Sequence, residues 1–205
     1  MENKEYFTVT QPARQETRVQ RSRFIGSLSP APHREAAENG LERIRREFHD
    51  ATHHCYAYRI DANEFRYSDG GEPSGTAGIP ILKMLDKYCL LQSLLVVTRY
   101  FGGIKLGAGG LSRAYSQCAE ETIQKSSLQK LVQYCAMTVQ YPYGATRQLH
   151  YLVDKYGGRV DSSEFAAEVV SRLKIPSRNQ PEFERELLQA GAGQVKIIYS
   201  SRDKG

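Results

Sequence analysis

Residues 6–10 alternate, with Tyr6, Thr8 and Thr10 opposing Phe7 and Val9, which is the two-residue period of a strand with one wet face. A second extended run from Arg14 to Gln20 is half polar, so these first two segments are expected as edge strands, and Ser22–Ser29 adds a third. Pro30 and Pro32 close that run, Pro32 at a position where a first helical turn tolerates proline. From His33 to His49 the residues Ala36, Ala37, Leu41, Ile44 and Phe48 recur at three- and four-residue steps with charges between them. This predicts an amphipathic helix weakened only at Gly40. Cys55–Ile60 reads as a strand, Ile79–Tyr88 as a helix, Leu94–Thr98 as an apolar strand and Leu111–Ser126 as a helix. Strands and helices in this arrangement predict a sandwich of sheet and helices.

The pattern changes near Leu131. Strand Val132–Gln140, helix Gly144–Tyr156, strands Gly158–Ser163 and Ala166–Leu173, helix Gln180–Ala190 and strand Gln194–Ser200 follow, with a helix stop at Tyr156-Gly157-Gly158. That βαββαβ order is the ferredoxin-like split motif, for which roughly 70 residues is a natural size. The expected organisation is α+β, with one domain over 1–130 and a second over 134–205.

Composition narrows the class. With 205 residues, 40% hydrophobic and 25% charged, the chain suits one large or two small globular domains. No uncharged apolar stretch approaches the ~20 residues a bilayer requires, so no membrane contact is expected. Met1–Ser22 is polar throughout and does not read as a secretory signal. Cys55, Cys89, Cys118 and Cys135 form no C-x-x-C pair, which points to reduced thiols and a cytoplasmic location. The net charge of +5 is spread over both halves, so it permits nucleic-acid contact without requiring it.

Two glycine-rich segments carry the candidate chemistry. One runs from Ser68 to Gly78 ahead of a helix, and the other from Tyr100 to Gly110 between a strand and a helix. Such loops bring backbone N–H groups and a helix dipole to one anion. Arg99, Lys105 and Arg113 flank Gly102, Gly103, Gly107, Gly109 and Gly110, and Gly75 and Thr76 occupy the first loop, so the two together predict a concavity for phosphate. Neither segment is a Walker A loop or a dinucleotide fingerprint, and no cofactor is implied. Close helix–strand packing explains the same glycines equally well. Positive φ is expected at Gly103 and Gly109.

Asp69 and Glu72 are the carboxylates available for acid–base work, although a turn former and a helix-start residue describe them at least as well. His53-His54-Cys55 resembles a metal cluster, but strand alternation lets only His53 and Cys55 share a face, and no second ligand cluster exists, so no metal is expected. Ser74, Thr76, Ser112 and Ser116 sit in no nucleophile motif. A Cys55 nucleophile beside a histidine stays open. No catalytic residue is assigned.

Three blocks resemble the IMPACT/YigZ family: Ala51–Arg59, Asp69–Gly78 and Thr98–Tyr115. The resemblance extends over roughly residues 15–125. The family usually carries Asp-Asp-Gly-Glu-Pro, and Gly70 stands here in place of the second Asp. The resemblance implies an N-terminal fold like that of a small-subunit ribosomal protein and of domain IV of elongation factor G. It also implies a ferredoxin-like C-terminal domain similar to domain V of that factor. Eukaryotic relatives are translational regulators that bind a partner in the amino-acid-starvation kinase pathway through an additional N-terminal domain. The expectation is therefore a non-enzymatic, translation-associated regulator that binds RNA or a ribosome-associated protein through a basic, glycine-rich cleft. The alternative is an enzyme acting on a small phosphorylated substrate in the same cleft, with Asp69 and Glu72 as its acids. A protein-only scaffold would instead expose an apolar patch.

Overall fold

Strand β6, Ser93–Tyr100, is buried along nearly its whole length, as a central strand with helices on both faces must be. It sits in a computed structural model that describes residues 5–132, 134–191 and 193–202; the side chains of the last four lie outside the description. The chain divides into two compact units, Lys4–Leu131 and Val132–Gly205.

In the first unit, β2 (Ala13–Val19), β3 (Ser22–Pro30), β4 (His53–Arg59) and β5 (Phe65–Ser68) join β6 in one antiparallel sheet of order β2-β3-β6-β4-β5. Helix α1, Arg34–Glu47, covers one face over Tyr56, Tyr58, Leu94 and Val96. Helices α2 (Gly78–Lys87) and α3 (Gly107–Gln124) lie side by side on the other, over Phe24, Cys55, Leu95 and Val97. Because alternate residues of one strand face opposite layers, β4 and β6 carry continuous buried runs, Cys55–Tyr58 and Leu94–Val97, rather than apolar residues at every second position.

Four elements depart from the sequence expectation. β1 (Tyr6–Val9) does not join the main sheet; it pairs with β7, Leu128–Leu131, as a separate antiparallel ladder. β5 and β7 themselves are four-residue strands that the hydrophobic pattern does not mark, since most of their side chains are exposed. Helix α3 begins at Gly107, inside the run expected to be loop.

The second unit orders β8 (Tyr134–Tyr141), β9 (Arg159–Phe165), β10 (Val169–Pro176) and β11 (Lys196–Arg202) as β11-β8-β10-β9, all antiparallel. Helices α4 (Thr146–Lys155) and α5 (Gln180–Ala190) follow β8 and β10, and their apolar stripes close the core through Leu149, Leu152, Val153, Phe183 and Leu187. The β10 strand starts at Val169 rather than Ala166. Gln133, within the expected first strand, lies outside the described residues.

Candidate functional site

The 69–78 loop is organised by a single carboxylate. Asp69 Oδ1 accepts from the backbone N–H groups of Ala77 and Gly78 at 2.9 and 2.8 Å, and Oδ2 accepts from Gly75 at 2.9 Å. The Ala77 and Gly78 amides are ones that the start of α2 leaves without intrahelical partners, so Asp69 caps that helix from nine residues upstream of Gly78. Burial pushes the Asp69 carboxyl up, but the three N–H donors more than offset it and hold the group below the usual carboxylate range. Thr76 is buried, and its N–H and hydroxyl both donate to the Pro73 carbonyl. Gly75 and Thr76, expected to face an external anion, are thus bonded internally.

Next to this cap lies a buried ionic network. Arg99 leaves β6 with only 3% of its surface exposed, and its Nη1 donates to Glu72 Oε1 at 2.6 Å, a carboxylate whose side chain is 4% exposed. Tyr115, from α3, donates its hydroxyl to the same Oε1 at 2.8 Å. The Arg99 Nη2 donates to Ser22 Oγ at 3.1 Å, and that oxygen also accepts from Gly102 N at 3.3 Å. The guanidinium carbon stands 5.4 Å from the ring centres of both Phe24 and Phe101. Arg99, expected on an open rim, is therefore a buried strut.

Beneath this pair, the Cys55 thiol donates to the Asp69 carbonyl at 2.9 Å and touches the Tyr115 hydroxyl oxygen at 3.2 Å. Burial pushes this thiol up to about 12, and the Tyr115 phenol is raised by the same cause. A thiol so protonated is no nucleophile near neutral pH. His53, the cross-strand partner of Arg99, points its Nδ1 at the Gly70 carbonyl, 3.0 Å away. Among the described residues, no group of three or more His, Cys, Asp or Glu side chains is placed to hold a metal ion.

The second glycine loop is different. Phe101 N donates to Thr52 Oγ1 and Gly102 N to Ser22 Oγ, which fixes its base. A Cβ on Gly102 would lie 2.0 Å from the Arg21 backbone, so only glycine fits, and the contact brings exposed Arg21 to the foot of the loop. Beyond that point the chain opens. Phe101 is 46% and Ile104 39% exposed, and Lys105 and Arg113 are exposed as well. Leu106 at the start of α3 gives no side-chain cap, and among the described residues no other side chain accepts from the Gly107, Ala108 or Gly109 amides. Arg113 Nη1 lies 3.5 Å from the Cβ position of Gly109, so the guanidinium folds back over that first turn. Gly103 has φ +81°, as expected; Gly109 does not, because it is already helical.

Comparison with known proteins shows what this arrangement is part of. Residues 20–123 match the Impact N-terminal domain. The chain is 32% identical to the IMPACT family member YigZ of Escherichia coli over 184 residues, covering 88% of this chain and 90% of that protein. The chain belongs to the IMPACT family. A further family member, YvyE of Bacillus subtilis, is 47% identical over 118 residues, spanning 57% of this chain and 54% of its own length. A crystal structure of a hypothetical protein, 30% identical, aligns over 94% of this chain and 96% of its own with a TM-score of 0.67.

Every residue of the network, from Ser22 to Tyr115, falls inside the segment matched to the IMPACT domain. The three sequence blocks converge on one point: β4 supplies His53 and Cys55, the following loop Asp69 and Glu72, and β6 with α3 Arg99, Gly102 and Tyr115. Sequence reasoning missed Ser22, Arg21 and the hydrogen-bonding role of Tyr115. Tyr115 sits on the apolar stripe of α3 with Leu111, Ala114 and Cys118, and that spacing signals core alone.

Proposed function

We propose that this IMPACT family chain is a non-enzymatic, translation-associated regulator that binds RNA through the loop between β6 and α3. One observation carries the reading: the 101–110 loop is rigidly anchored at its base yet presents an exposed aromatic ring, exposed Lys105 and Arg113, and the uncapped N-terminus of α3. Cations and free amides suit phosphates, and an exposed ring suits an unstacked base. Arg21 adds a third exposed positive charge at the foot of the loop.

The two carboxylates of the enzyme reading are committed elsewhere, Asp69 to the amides of α2 and Glu72 to Arg99 and Tyr115. These commitments favour a binding role for the loop over acid–base work on a substrate.

Titration of single-stranded RNA against the full chain at several salt concentrations tests the proposal. Affinity should fall steeply with salt, with a slope of about 0.7 per phosphate contacted. Binding that is absent, or independent of salt, removes RNA and leaves a protein partner.

A further inference from the structure

Lys105, Arg113 and the α3 amides are all donors, and donors read phosphate without distinguishing one sugar from another. His53 is of the opposite kind. Its Nδ1 lies 3.0 Å from the Gly70 carbonyl, which can only accept, so Nδ1 carries the ring proton and Nε2 of the neutral ring is left as an acceptor. A Cβ at Gly71 would lie 3.3 Å from Nδ1, so the glycine leaves the ring room to reach that carbonyl.

The Nε2 atom makes no hydrogen bond. Among the described residues, the buried side-chain polar atoms without partners are Ser27 Oγ, Arg59 Nε and Arg99 Nε; His53 Nε2 is not among them, so it reaches solvent. It faces Glu72 Oε1 at 3.9 Å, beyond hydrogen-bond range. In the neutral form of the ring, Nε2 and Glu72 Oε1 are both acceptors around one spot, which favours a donor there over an anion. The position is next to the loop: His53 pairs across the sheet with Arg99, whose guanidinium stands 5.4 Å from the Phe101 ring.

We propose that His53 Nε2 accepts a hydrogen bond from a ribose 2′-hydroxyl of the bound strand and so makes the loop prefer RNA to DNA. The proposal rests on the RNA-binding reading above. The 2′-hydroxyl is the donor that RNA has and DNA lacks, and it lies one bond from the sugar that links a stacked base to its phosphate. Glu72 stays with Arg99 and Tyr115 and acts on the ligand only by disfavouring an anion at this one spot.

The test compares short oligouridine, oligodeoxyuridine and 2′-O-methyl oligouridine, which share one base, against the wild-type full chain and against His53→Leu and His53→Gln. Wild type should bind the ribose strand about 3- to 10-fold tighter than either of the others, the worth of one hydrogen bond. His53→Leu should bind all three strands alike, at the wild-type level for the deoxyribose strand, while His53→Gln, which keeps an acceptor, should recover part of the preference. Should His53→Leu not fold, the methylated strand alone decides, since methylation removes the donor and leaves the protein intact. Salt-dependent binding of equal strength to all three strands overturns the role of His53 and leaves the loop as a nucleic-acid site. Absence of salt-dependent binding to any strand overturns the RNA reading itself.

Discussion

In the 69–78 loop, the amides at the start of α2 point at an internal carboxylate; in the 101–110 loop, the amides at the start of α3 meet no side-chain acceptor among the described residues. Both loops are rich in glycine, both feed a helix on the same face of the same sheet, and the two helices touch. The difference lies in one residue. Asp69 fills the first helix N-terminus with a negative charge belonging to the protein, whereas the second loop carries Lys105 and Arg113 and so stays receptive to a negative charge from outside. The closed loop also supplies Glu72, which anchors the open loop through Arg99 and Ser22. One loop is built to hold the other in place.

If that division is right, damage to the closed loop should appear in stability and damage to the open one in binding. The largest effect belongs to Glu72→Gln, which leaves Arg99 as a buried cation with no counter-charge. It should destabilise the first unit by about 3–5 kcal/mol, measured by urea denaturation. Asp69→Ala strips the start of α2 of its acceptor and should cost about 2–3 kcal/mol by the same measurement, since at least one buried N–H is left unsatisfied. Its pH dependence has a defined sign. The folded carboxyl lies below the unfolded value of about 3.9, so this stabilisation is present above that pH and fades as pH falls through the folded value; the variant should lose that acid limb.

The legibility of the two loops differs for physical reasons. Hydrophobic periodicity marked α1, β6 and the βαββαβ order of the second unit, because burial on one or two faces writes itself into the spacing of apolar residues. It did not mark β5 or β7, whose exposed side chains carry no such pattern. Nor could it place Arg99, because an arginine is read as surface until its partner is known, and Glu72 lies 27 positions away in sequence. Gly107, Ala108, Gly109 and Gly110 look like loop in one dimension, yet they form the first turn of α3. The family resemblance marked the right three blocks, but only the fold shows that they meet.

Burial gives a further effect that is absent near neutral pH and appears only under alkaline conditions. The Cys55 and Cys118 thiols are pushed up to about 12 and about 11 in the folded chain, whereas unfolded thiols titrate near 8.5. Their contribution is complete below about pH 8.5 and is lost as pH rises toward the folded values, by about 1.4 kcal/mol per pH unit for each thiol. Denaturation midpoints should therefore fall between pH 9 and 11, and Cys55→Ala should flatten that slope. The smallest effect on stability, within about 0.5 kcal/mol, is expected for Lys105→Ala combined with Arg113→Ala, both exposed side chains. The same double variant should weaken RNA binding by about 1 kcal/mol per charge and reduce the salt slope by roughly 1.4.

Backbone hydrogen exchange read residue by residue, with and without single-stranded RNA, separates the two loops most directly. In the free chain the amides of Gly75, Ala77 and Gly78 should exchange slowly because Asp69 holds them, while those of Gly107, Ala108 and Gly109 exchange fast. Addition of RNA should slow the second set and leave the first unchanged. Protection that appears at Gly75–Gly78 instead, or at neither loop while RNA is bound elsewhere on the chain, would contradict the assignment of one loop to structure and the other to ligand.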